Sequence, residues 1–276
     1  QGLTPYAGHD WLVCETTGGY ERALLEAAAA VGLTACRADA ARVKAFIDSH
    51  GARAKTDSID AAWLSRYGLE RAARLTPWRA PAAEREALGE LVRHRQDLLA
   101  QRTCAKNRRS APGGAVLLDL LDQQIAFLTA QIARIDAQID ELLKAHAQMA
   151  RDEAALRAIP GVGPVCARTL IALLPELGRL GPKQAASLAG LAPHPRDSGQ
   201  IQRRRRMTAG RNGLKPTLFM AALAATRAHP HLRLVYQRLI NAGKPKRLAI
   251  AAIARKLVVI ANAIIRDTSY NNSQLT

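Results

Sequence analysis

The chain has 276 residues, 48% of them hydrophobic, which is enough for one or two folded domains with a substantial core and excludes a disordered tail. Forty Lys and Arg residues against 23 Asp and Glu give a formal net charge of +17 and a pI near 10.6. Aromatic residues make up only 4%. This balance favours a partner bound through its phosphates rather than by base stacking, and nucleic acid is the leading candidate.

The cysteines and the apolar runs exclude other classes. Four cysteines are scattered singly, with no Cys-x-x-Cys or Cys/His cluster of the kind that holds zinc. No uninterrupted apolar run approaches the roughly 20 residues of a membrane-spanning helix, and the amino terminus lacks a signal-peptide pattern. We therefore expect reduced thiols, a cytoplasmic location and no membrane partner.

Residues 10–70 alternate between strand and helix patterns. The predicted order is strand, helix, strand, helix, at Trp11–Cys14, Tyr20–Val31, Leu33–Cys36 and Asp39–His50. An α/β half-domain of about 70 residues is small for an independent sheet protein and is consistent with a first hairpin upstream. Because the chain begins with Gln1 rather than Met, we expect the natural protein to have more sequence before it.

An acid pair opens the next predicted helix. Asp57 and Asp60 are three residues apart, so both side chains project from one face. Two such carboxylates, with a third from elsewhere, are the oxygen ligands that magnesium uses when it activates a phosphodiester. Glu15 is the candidate third ligand. In the alternative, Asp57 only caps the helix and Asp60 is a solvated first-turn acid.

Residues 81–150 are typical of a helical hairpin. A basic helix over Glu84–Arg109 is followed by a Pro-Gly-Gly turn and by a second helix with apolar residues at alternating spacings of four and three: Leu121, Ile125, Leu128, Ile132, Ile135, Ile139 and Leu142. This seam predicts a coiled-coil arm that pairs with another subunit. An internal hairpin without a partner is the alternative, but it would expose much of the seam.

The region from Asp152 onward is predicted to be a compact helical domain. Its first two helices are joined by a Pro-Gly-Val-Gly turn that resembles a helix-hairpin-helix, in which Gly161 and Gly163 would let backbone N–H groups approach a phosphate. An ordinary tight turn between helices is equally compatible with the motif. Three apolar-striped helices are predicted further on, at Lys215–Thr226, Leu232–Asn241 and Arg247–Arg266.

A basic loop over residues 193–213 interrupts this domain. Its prolines and glycines prevent a continuous helix, and it contains Ser198 and an unneutralised arginine run. Phosphate contact is therefore the preferred interpretation, and Ser198 could be a nucleophile on phosphorus or only a turn residue. The predicted nucleic-acid-binding residues in and beside this loop are Arg196, Arg203, Arg204, Arg205, Arg206, Arg211 and Lys215.

Eight short motifs occur in an order that resembles one family. They begin at Cys14, Ala54, Arg93, Ile159, Ala186, Asp197, Ala209 and Arg255, and read CETTGGYE, AKTDSIDA, RHRQDL, IPGVGP, ASLAGLAP, DSG, AGR and RKL. This order resembles the DEDD-type transposases of bacterial insertion-sequence family 110, relatives of the Piv DNA invertases. The resemblance implies an α/β plus all-α fold: a partial RNase H-like (RuvC-like) domain over residues 1–80, a coiled-coil arm over 81–150 and a helical transposase domain over 151–276.

The resemblance also implies site residues and partners. Glu15, Asp57 and Asp60 correspond to three of the family's four metal-binding acids, and Ser198 corresponds to its proposed nucleophile. Magnesium is the implied cofactor, and DNA and a structured guide RNA are the implied partners. The first acid of the quartet would precede residue 1, so we expect the protein as given to retain binding and to have lost or greatly reduced catalysis.

The sequence thus predicts a DNA recombinase of a bacterial insertion sequence, which forms a dimer or tetramer through its coiled coil. One alternative is a metal-dependent nuclease or junction resolvase in which water attacks and Ser198 is idle. Another is a nucleic-acid-binding protein without catalysis, in which the acids are remnants.

Overall fold

The computed structural model describes residues 11–51, 57–194, 206–207 and 210–273, and at 57–59, 194, 206 and 268–273 it describes the backbone alone. The chain divides into two compact units, Gln1–Pro81 and Ala82–Thr276. The second unit contains both the predicted arm and the predicted helical domain. The three-part division at residues 80 and 150 therefore stays a prediction.

The first unit is a small α/β structure. Its elements are β1 (Trp11–Glu15), α1 (Arg22–Ala30), β2 (Thr34–Ala38), α2 (Ala40–Ser49) and α3 (Asp57–Arg71), followed by a short 3₁₀ turn at Ala72–Arg74. The two strands are parallel, in register from Trp11 opposite Thr34 to Glu15 opposite Ala38. Parallel neighbours need a crossover connection, which α1 supplies. This parallel sheet and the surrounding helices agree with the expected α/β half-domain.

Successive residues of a strand point to opposite faces of the sheet. In this sheet both faces pack against helices. On one face, Cys14 and Ala35 pack with Leu25 and Ala28 of α1. The opposite face packs against α2 and α3, in an apolar cluster of Ala38, Val43, Phe46 and Tyr67 bordered by Val13, Ile47, Trp63, Leu64 and Leu75. Glu15 follows Cys14 in the strand, so its side chain belongs to the opposite face, which α2 and α3 cover.

The second unit is helical. Its elements are α4 (Ala83–Arg109), α5 (Leu118–Ala145), α6 (Ala147–Arg157), α7 (Pro164–Leu173), α8 (Pro182–Leu188), the two-residue strands β3 (Pro193–His194) and β4 (Arg206–Met207), α9 (Leu214–Ala228), α10 (Pro230–Asn241) and α11 (Lys246–Ser273), with a 3₁₀ turn at Ala115–Leu117. One apolar core joins α6, α7, α9, α10 and α11 to the base of the α4–α5 hairpin. The buried Asn262 of α11 accepts from the Gly178 N–H and donates to the Leu180 carbonyl, both at 2.8 Å.

The α4–α5 hairpin is antiparallel and held in a regular register. Arg95 binds Asp136 through bonds of 2.6 and 3.1 Å, Arg102 reaches Thr129 at 3.4 Å, and Arg109 pairs with Asp122. Each step of seven residues along α4 is thus matched by seven residues back along α5. Among the residues of the predicted seam, Leu128, Ile132 and Ile139 are buried. The seam packs against α4 of the same chain, and a coiled coil between subunits stays a prediction.

Two helices of the described residues are long and apolar enough to cross a membrane by length and composition, within Ala115–Ala145 and Lys246–Asp267. The second is α11, whose apolar residues fill the core of its unit while Arg255 and Lys256 are exposed in mid-helix. A buried core helix passes the same test, and one or two such helices are weak evidence, so they do not indicate a membrane protein. All four cysteines are free, and Cys14, Cys36 and Cys166 are buried.

Candidate functional site

Glu15 is the last residue of β1 and lies two positions after Val13, so both side chains leave the same face of the sheet. The helix α3 approaches this face closely: a Cβ atom on Gly68 would lie 2.8 Å from Cγ2 of Val13. Glu15 is partly exposed and makes no ion pair with a residue that the structure describes. Its carboxylate therefore projects from the sheet face that α3 covers.

The aspartate pair lies at the beginning of α3. Asp57 is the first residue of this helix, and its side chain lies outside the described residues. Asp60, in the first turn, is half-buried. The next turn brings Trp63 into the apolar cluster that also contains Ala38, the register partner of Glu15. The strand that carries the glutamate and the helix that carries both aspartates thus pack on one face of the sheet.

Three carboxylates would form a donor set of hard oxygen ligands, which fits magnesium. Among the side chains that the structure describes, no three acidic, His or Cys groups are close enough together to hold a metal ion. The side chain of Asp57 is not among them, so the set of Glu15, Asp57 and Asp60 stays a prediction. Three carboxylates are suitable ligands for magnesium, the ion that the sequence resemblance implies.

A second acid, Glu21, organises the loop after β1. Its side chain is almost fully buried and accepts hydrogen bonds from the Thr17 N–H at 3.1 Å, the Thr17 hydroxyl at 3.0 Å and the Gly19 N–H at 2.9 Å, and Arg37 lies 3.5 Å away. Burial by itself would raise the pKa of Glu21, but bonds from backbone N–H groups and from the Thr17 hydroxyl outweigh it and lower the pKa to about 2.

Sequence reasoning missed the role of Glu21. The signal was present, because an acid that follows a Thr-Gly-Gly turn and precedes a helix can accept from the turn's free N–H groups.

The two glycines of the α6–α7 turn have different environments. Gly161 has φ of +99°, and a Cβ there would lie 2.6 Å from the backbone nitrogen of Ala225 in α9. Gly161 thus permits close packing of the turn on α9. Gly163 caps α7 with φ of −86° and has open space where a Cβ would be. The side of the turn that is open to a phosphate is therefore at Gly163, and phosphate binding there stays a prediction.

The two ends of the basic loop are held together by strand pairing. β3 pairs antiparallel with β4, with Pro193 opposite Met207. Lys215 donates to the Met207 carbonyl at 2.9 Å, which closes the base of the loop from the α9 side. A Cβ on Gly210 would lie 2.3 Å from the Cα atom of Gly190, so the returning chain makes backbone contact with the end of α8.

Arg211 is anchored within the protein. Its guanidinium donates to both carboxylate oxygens of Glu176, at 2.7 and 2.6 Å, and to the Leu173 carbonyl at 2.9 Å. Its backbone N–H donates to Leu188 at 2.8 Å. The predicted contact of Arg211 with nucleic acid is untested, but these donors already serve to fix the end of the loop.

The other predicted residues of the loop fall outside the described part of the chain. These are Arg196, Ser198, Arg203, Arg204 and Arg205, and for Arg206 only the backbone, in β4, is described. Their predicted roles are therefore untested.

Comparison with known proteins gives two family matches. A family model for the DEDD transposases of IS110, described as "Transposase", matches residues 4–111. A second, described as "Transposase IS116/IS110/IS902 family", matches residues 153–237. The first covers the strand and the helix that carry the acids, and the second covers the α6–α7 turn and the basic loop.

Individual relatives extend the match along the chain. The pilin gene-inverting protein of Moraxella bovis is 30% identical over 268 residues, covering 93% of this chain and 80% of the relative. Two insertion-element proteins, from IS110 of Streptomyces coelicolor and IS900 of Mycobacterium paratuberculosis, are 32% and 30% identical over 77% and 73% of this chain. The matches span about half of each of those two proteins, 53% and 54%. This chain belongs to the IS110 family of transposases.

Proposed function

We propose that this protein is a recombinase that cuts and rejoins DNA strands for an insertion sequence, in the bacterial cytoplasm. Family membership supports DNA as the substrate, and the net charge of +17 suits a phosphate-rich partner. The observation that carries the proposal is the position of Glu15 on the sheet face covered by α3, the helix that begins with Asp57 and Asp60.

In this proposal the two parts of the chain have separate chemical roles. Glu15, Asp57 and Asp60 hold magnesium, which when bound withdraws negative charge from the reacting phosphodiester. The Ser198 hydroxyl loses its proton to solvent and its oxygen attacks phosphorus, forming a phosphoserine ester. The deoxyribose oxygen leaves and takes up a proton, and the reverse reaction with a new strand end rejoins the DNA.

The basic residues supply binding. Arg196 and Arg203–Arg206 contact phosphates beside Ser198, Lys215 supports the base of the loop, and the open N–H groups near Gly163 bind a further phosphate. Because each charge acts on the backbone, these contacts position the DNA without reading its sequence.

Adduct trapping tests the nucleophile. The full-length protein is incubated with DNA carrying the element's ends and with magnesium, and covalent protein–DNA complexes are resolved under denaturing conditions. Ser198→Ala is expected to abolish the adduct, whereas Ser187→Ala, at a partly exposed serine of α8, is expected to leave it unchanged. An adduct that survives Ser198→Ala would show that another group attacks. Running the same assay on residues 1–276 tests whether an upstream acid is required.

A metal-dependent nuclease or junction resolvase is the second candidate. Glu15, Asp57 and Asp60 all lie in the first unit and Ser198 lies in the second, so hydrolysis by water would need only the first unit. In that case strand cleavage persists in Ser198→Ala and no adduct forms in either protein. Binding without any cleavage, in the full-length protein with magnesium, would indicate the non-catalytic alternative.

The proposed assembly is a dimer or tetramer formed through the α4–α5 hairpin. The hairpin exposes Val116, Leu117 and Leu120 near its tip and Phe127 further along α5, with Val116 at 92%. Exposed apolar side chains of this kind are typical of an interaction site. Light scattering on the purified protein measures the mass, and Leu120→Ser with Phe127→Ser is expected to reduce it to that of a monomer. A structured guide RNA is tested by extracting nucleic acid from the purified protein and sequencing it.

A further inference from the structure

The backbone that follows Glu15 is held on two sides. The Thr16 N–H donates to the Ala38 carbonyl at 3.1 Å, which extends the β1–β2 ladder by one bond. The Thr16 hydroxyl accepts from the Ala40 N–H at 3.4 Å, at the beginning of α2. These bonds fix where the strand ends, but they do not hold the rest of the loop that connects it to α1.

That loop has almost no apolar packing of its own. Residues 16–20 are all exposed, and Gly18 and Gly19 have φ of +75° and +113° with open space around them. Such a segment is flexible in principle, because glycine restricts the backbone least. The carboxylate of Glu21 provides its attachment: one oxygen accepts from Thr17 twice and from Gly19 once, and the other faces Arg37 on β2.

Glu21 and Glu15 differ in what they can bind. The oxygens of Glu21 are occupied by three donors and an arginine, and the residue is 7% exposed. A cation would have to displace those donors, whereas the carboxylate of Glu15 is partly exposed and forms no ion pair with a described residue. Glu15 is therefore available to a ligand, whereas the carboxylate of Glu21 is already bound to the loop.

We infer that Glu21 is the positioning residue for Glu15: through Thr17 and Gly19 it holds the loop against the end of β1 and so fixes the direction in which the Glu15 carboxylate leaves the sheet. This inference rests on the proposed function, in which Glu15 binds the metal ion. Outer partners that orient a ligand typically contribute 10–100-fold to metal affinity. Loss of Glu21 should thus weaken binding of the ion without removing a ligand.

Magnesium binding to the full-length protein, without DNA, is the first readout. Isothermal titration and the magnesium-dependent rise in Tm are measured for wild type, Glu15→Gln, Glu21→Gln and Glu26→Gln. Glu26 is the matched control, an exposed acid on α1 that pairs with Arg22 one turn earlier in the same helix. Glu15→Gln is expected to abolish the response, Glu21→Gln to raise the half-saturating magnesium concentration about 10-fold or more, and Glu26→Gln to leave it unchanged.

Strand cleavage gives the second readout. For Glu21→Gln the cleavage rate is expected to return to near the wild-type value at saturating magnesium, which separates misplacement of a ligand from loss of one. Thr17→Val removes one of the three donors and should raise the magnesium requirement less, while Thr17→Ser keeps the hydroxyl and should restore it. If Glu21→Gln fails to fold, the comparison of Thr17→Val with Thr17→Ser tests the inference in its place.

The outcomes test the role of Glu21 separately from the proposed role of Glu15 in binding the metal ion. Suppose that Glu15→Gln abolishes magnesium binding, whereas Glu21→Gln lowers Tm but needs no more magnesium than Glu26→Gln. Glu21 then merely stabilises the fold, and the inference is wrong. If Glu15→Gln leaves magnesium binding and cleavage intact, the proposed role of Glu15 is wrong, whatever Glu21 does.

Discussion

Gly161 and Gly163 are two residues apart in one turn, yet they should respond differently to the same substitution. Gly161→Ala places a methyl group against the Ala225 backbone at a positive φ, so we expect a loss of about 3 kcal/mol in the free energy of unfolding. Gly163→Ala meets open space at an ordinary φ and should cost about 0.5 kcal/mol or less. Urea unfolding followed by circular dichroism measures both.

DNA binding separates the two positions further. If the open side of the turn faces a phosphate, Gly163→Ala weakens binding although the protein remains stable. Equal stability losses for the two variants would contradict the packing role assigned to Gly161.

Glu21 should also give the protein a specific dependence on acid. Its pKa in the folded state is about 2, below the ordinary value of 4.5, so folding favours the ionised form. Its contribution to stability is therefore complete above about pH 4.5 and is lost as the pH falls toward 2. We expect the difference in unfolding free energy between wild type and Glu21→Gln to be largest at pH 5–7 and to shrink at pH 4 and 3, measured by urea unfolding. A difference independent of pH would contradict this assignment.

Single residues show where the sequence is informative and where it is not. Glu15 could be placed at the end of a strand because its pattern is local. The need for Gly at 161 could not be predicted, because the atom that it avoids belongs to Ala225, 64 residues later. The same holds for Arg211, whose partner Glu176 is on a distant loop. The predicted contact of Arg211 with phosphate stays a prediction, but its bonds to Glu176 and to the Leu173 carbonyl depend on residues far away in the sequence.

At the scale of elements, local patterns predicted most of the secondary structure. The helices expected at Asp39–His50, Glu84–Arg109 and Leu232–Asn241 are confirmed within two residues at each end. Their ends are marked by Asp39, which caps α2 through the Arg42 N–H, and by prolines and glycines elsewhere. The short α8 was not predicted, because seven residues give too little apolar periodicity to recognise.

The ion pairs of the α4–α5 hairpin should differ in strength according to burial. Arg95 and Asp136 are 15% and 33% exposed and share two hydrogen bonds, whereas Arg109 and Asp122 are 48% and 50% exposed. We expect Asp136→Ala to cost about 1–2 kcal/mol and Asp122→Ala to cost far less, because water screens the exposed pair. Urea unfolding of each variant measures the loss.

A double-mutant cycle isolates the interaction itself. With Arg95→Ala added to Asp136→Ala, the coupling should be about 1 kcal/mol, and with Arg109→Ala added to Asp122→Ala it should be close to zero. A coupling at the hairpin tip as large as that near its base would show that exposure does not determine these energies.

At the scale of the whole molecule, the second unit contains most of the core. Of the largest fully buried side chains among the described residues, all except Leu25 lie after residue 82. We therefore expect residues 82–276 expressed alone to be helical and to unfold in one cooperative urea transition, because this unit buries its own apolar surface. A non-cooperative transition, or strong binding of a hydrophobic dye, would contradict an independent core.

The basic surface should be detectable as a dependence of DNA binding on salt. Lys244, Lys246 and Arg247, in and after the α10–α11 turn, are exposed and make no ion pair with any residue in the described ranges. If all three contact phosphates, changing them to Gln reduces the slope of log K against log salt concentration by roughly 2 to 3, since each neutralised phosphate of duplex DNA contributes about 0.9. Fluorescence anisotropy at several salt concentrations measures the slope.

A matched variant removes the same charge elsewhere. Arg22, Arg66 and Arg109 each pair with an acid of their own surroundings, so changing them to Gln lowers the net charge equally while leaving phosphate contacts in place. The slope for this control should stay near that of the wild type. Two duplexes of unrelated sequence should lose affinity alike in the turn variant, because phosphates are common to both. A control slope that falls as far as that of the turn variant would indicate that total charge, and not contact at this turn, governs binding.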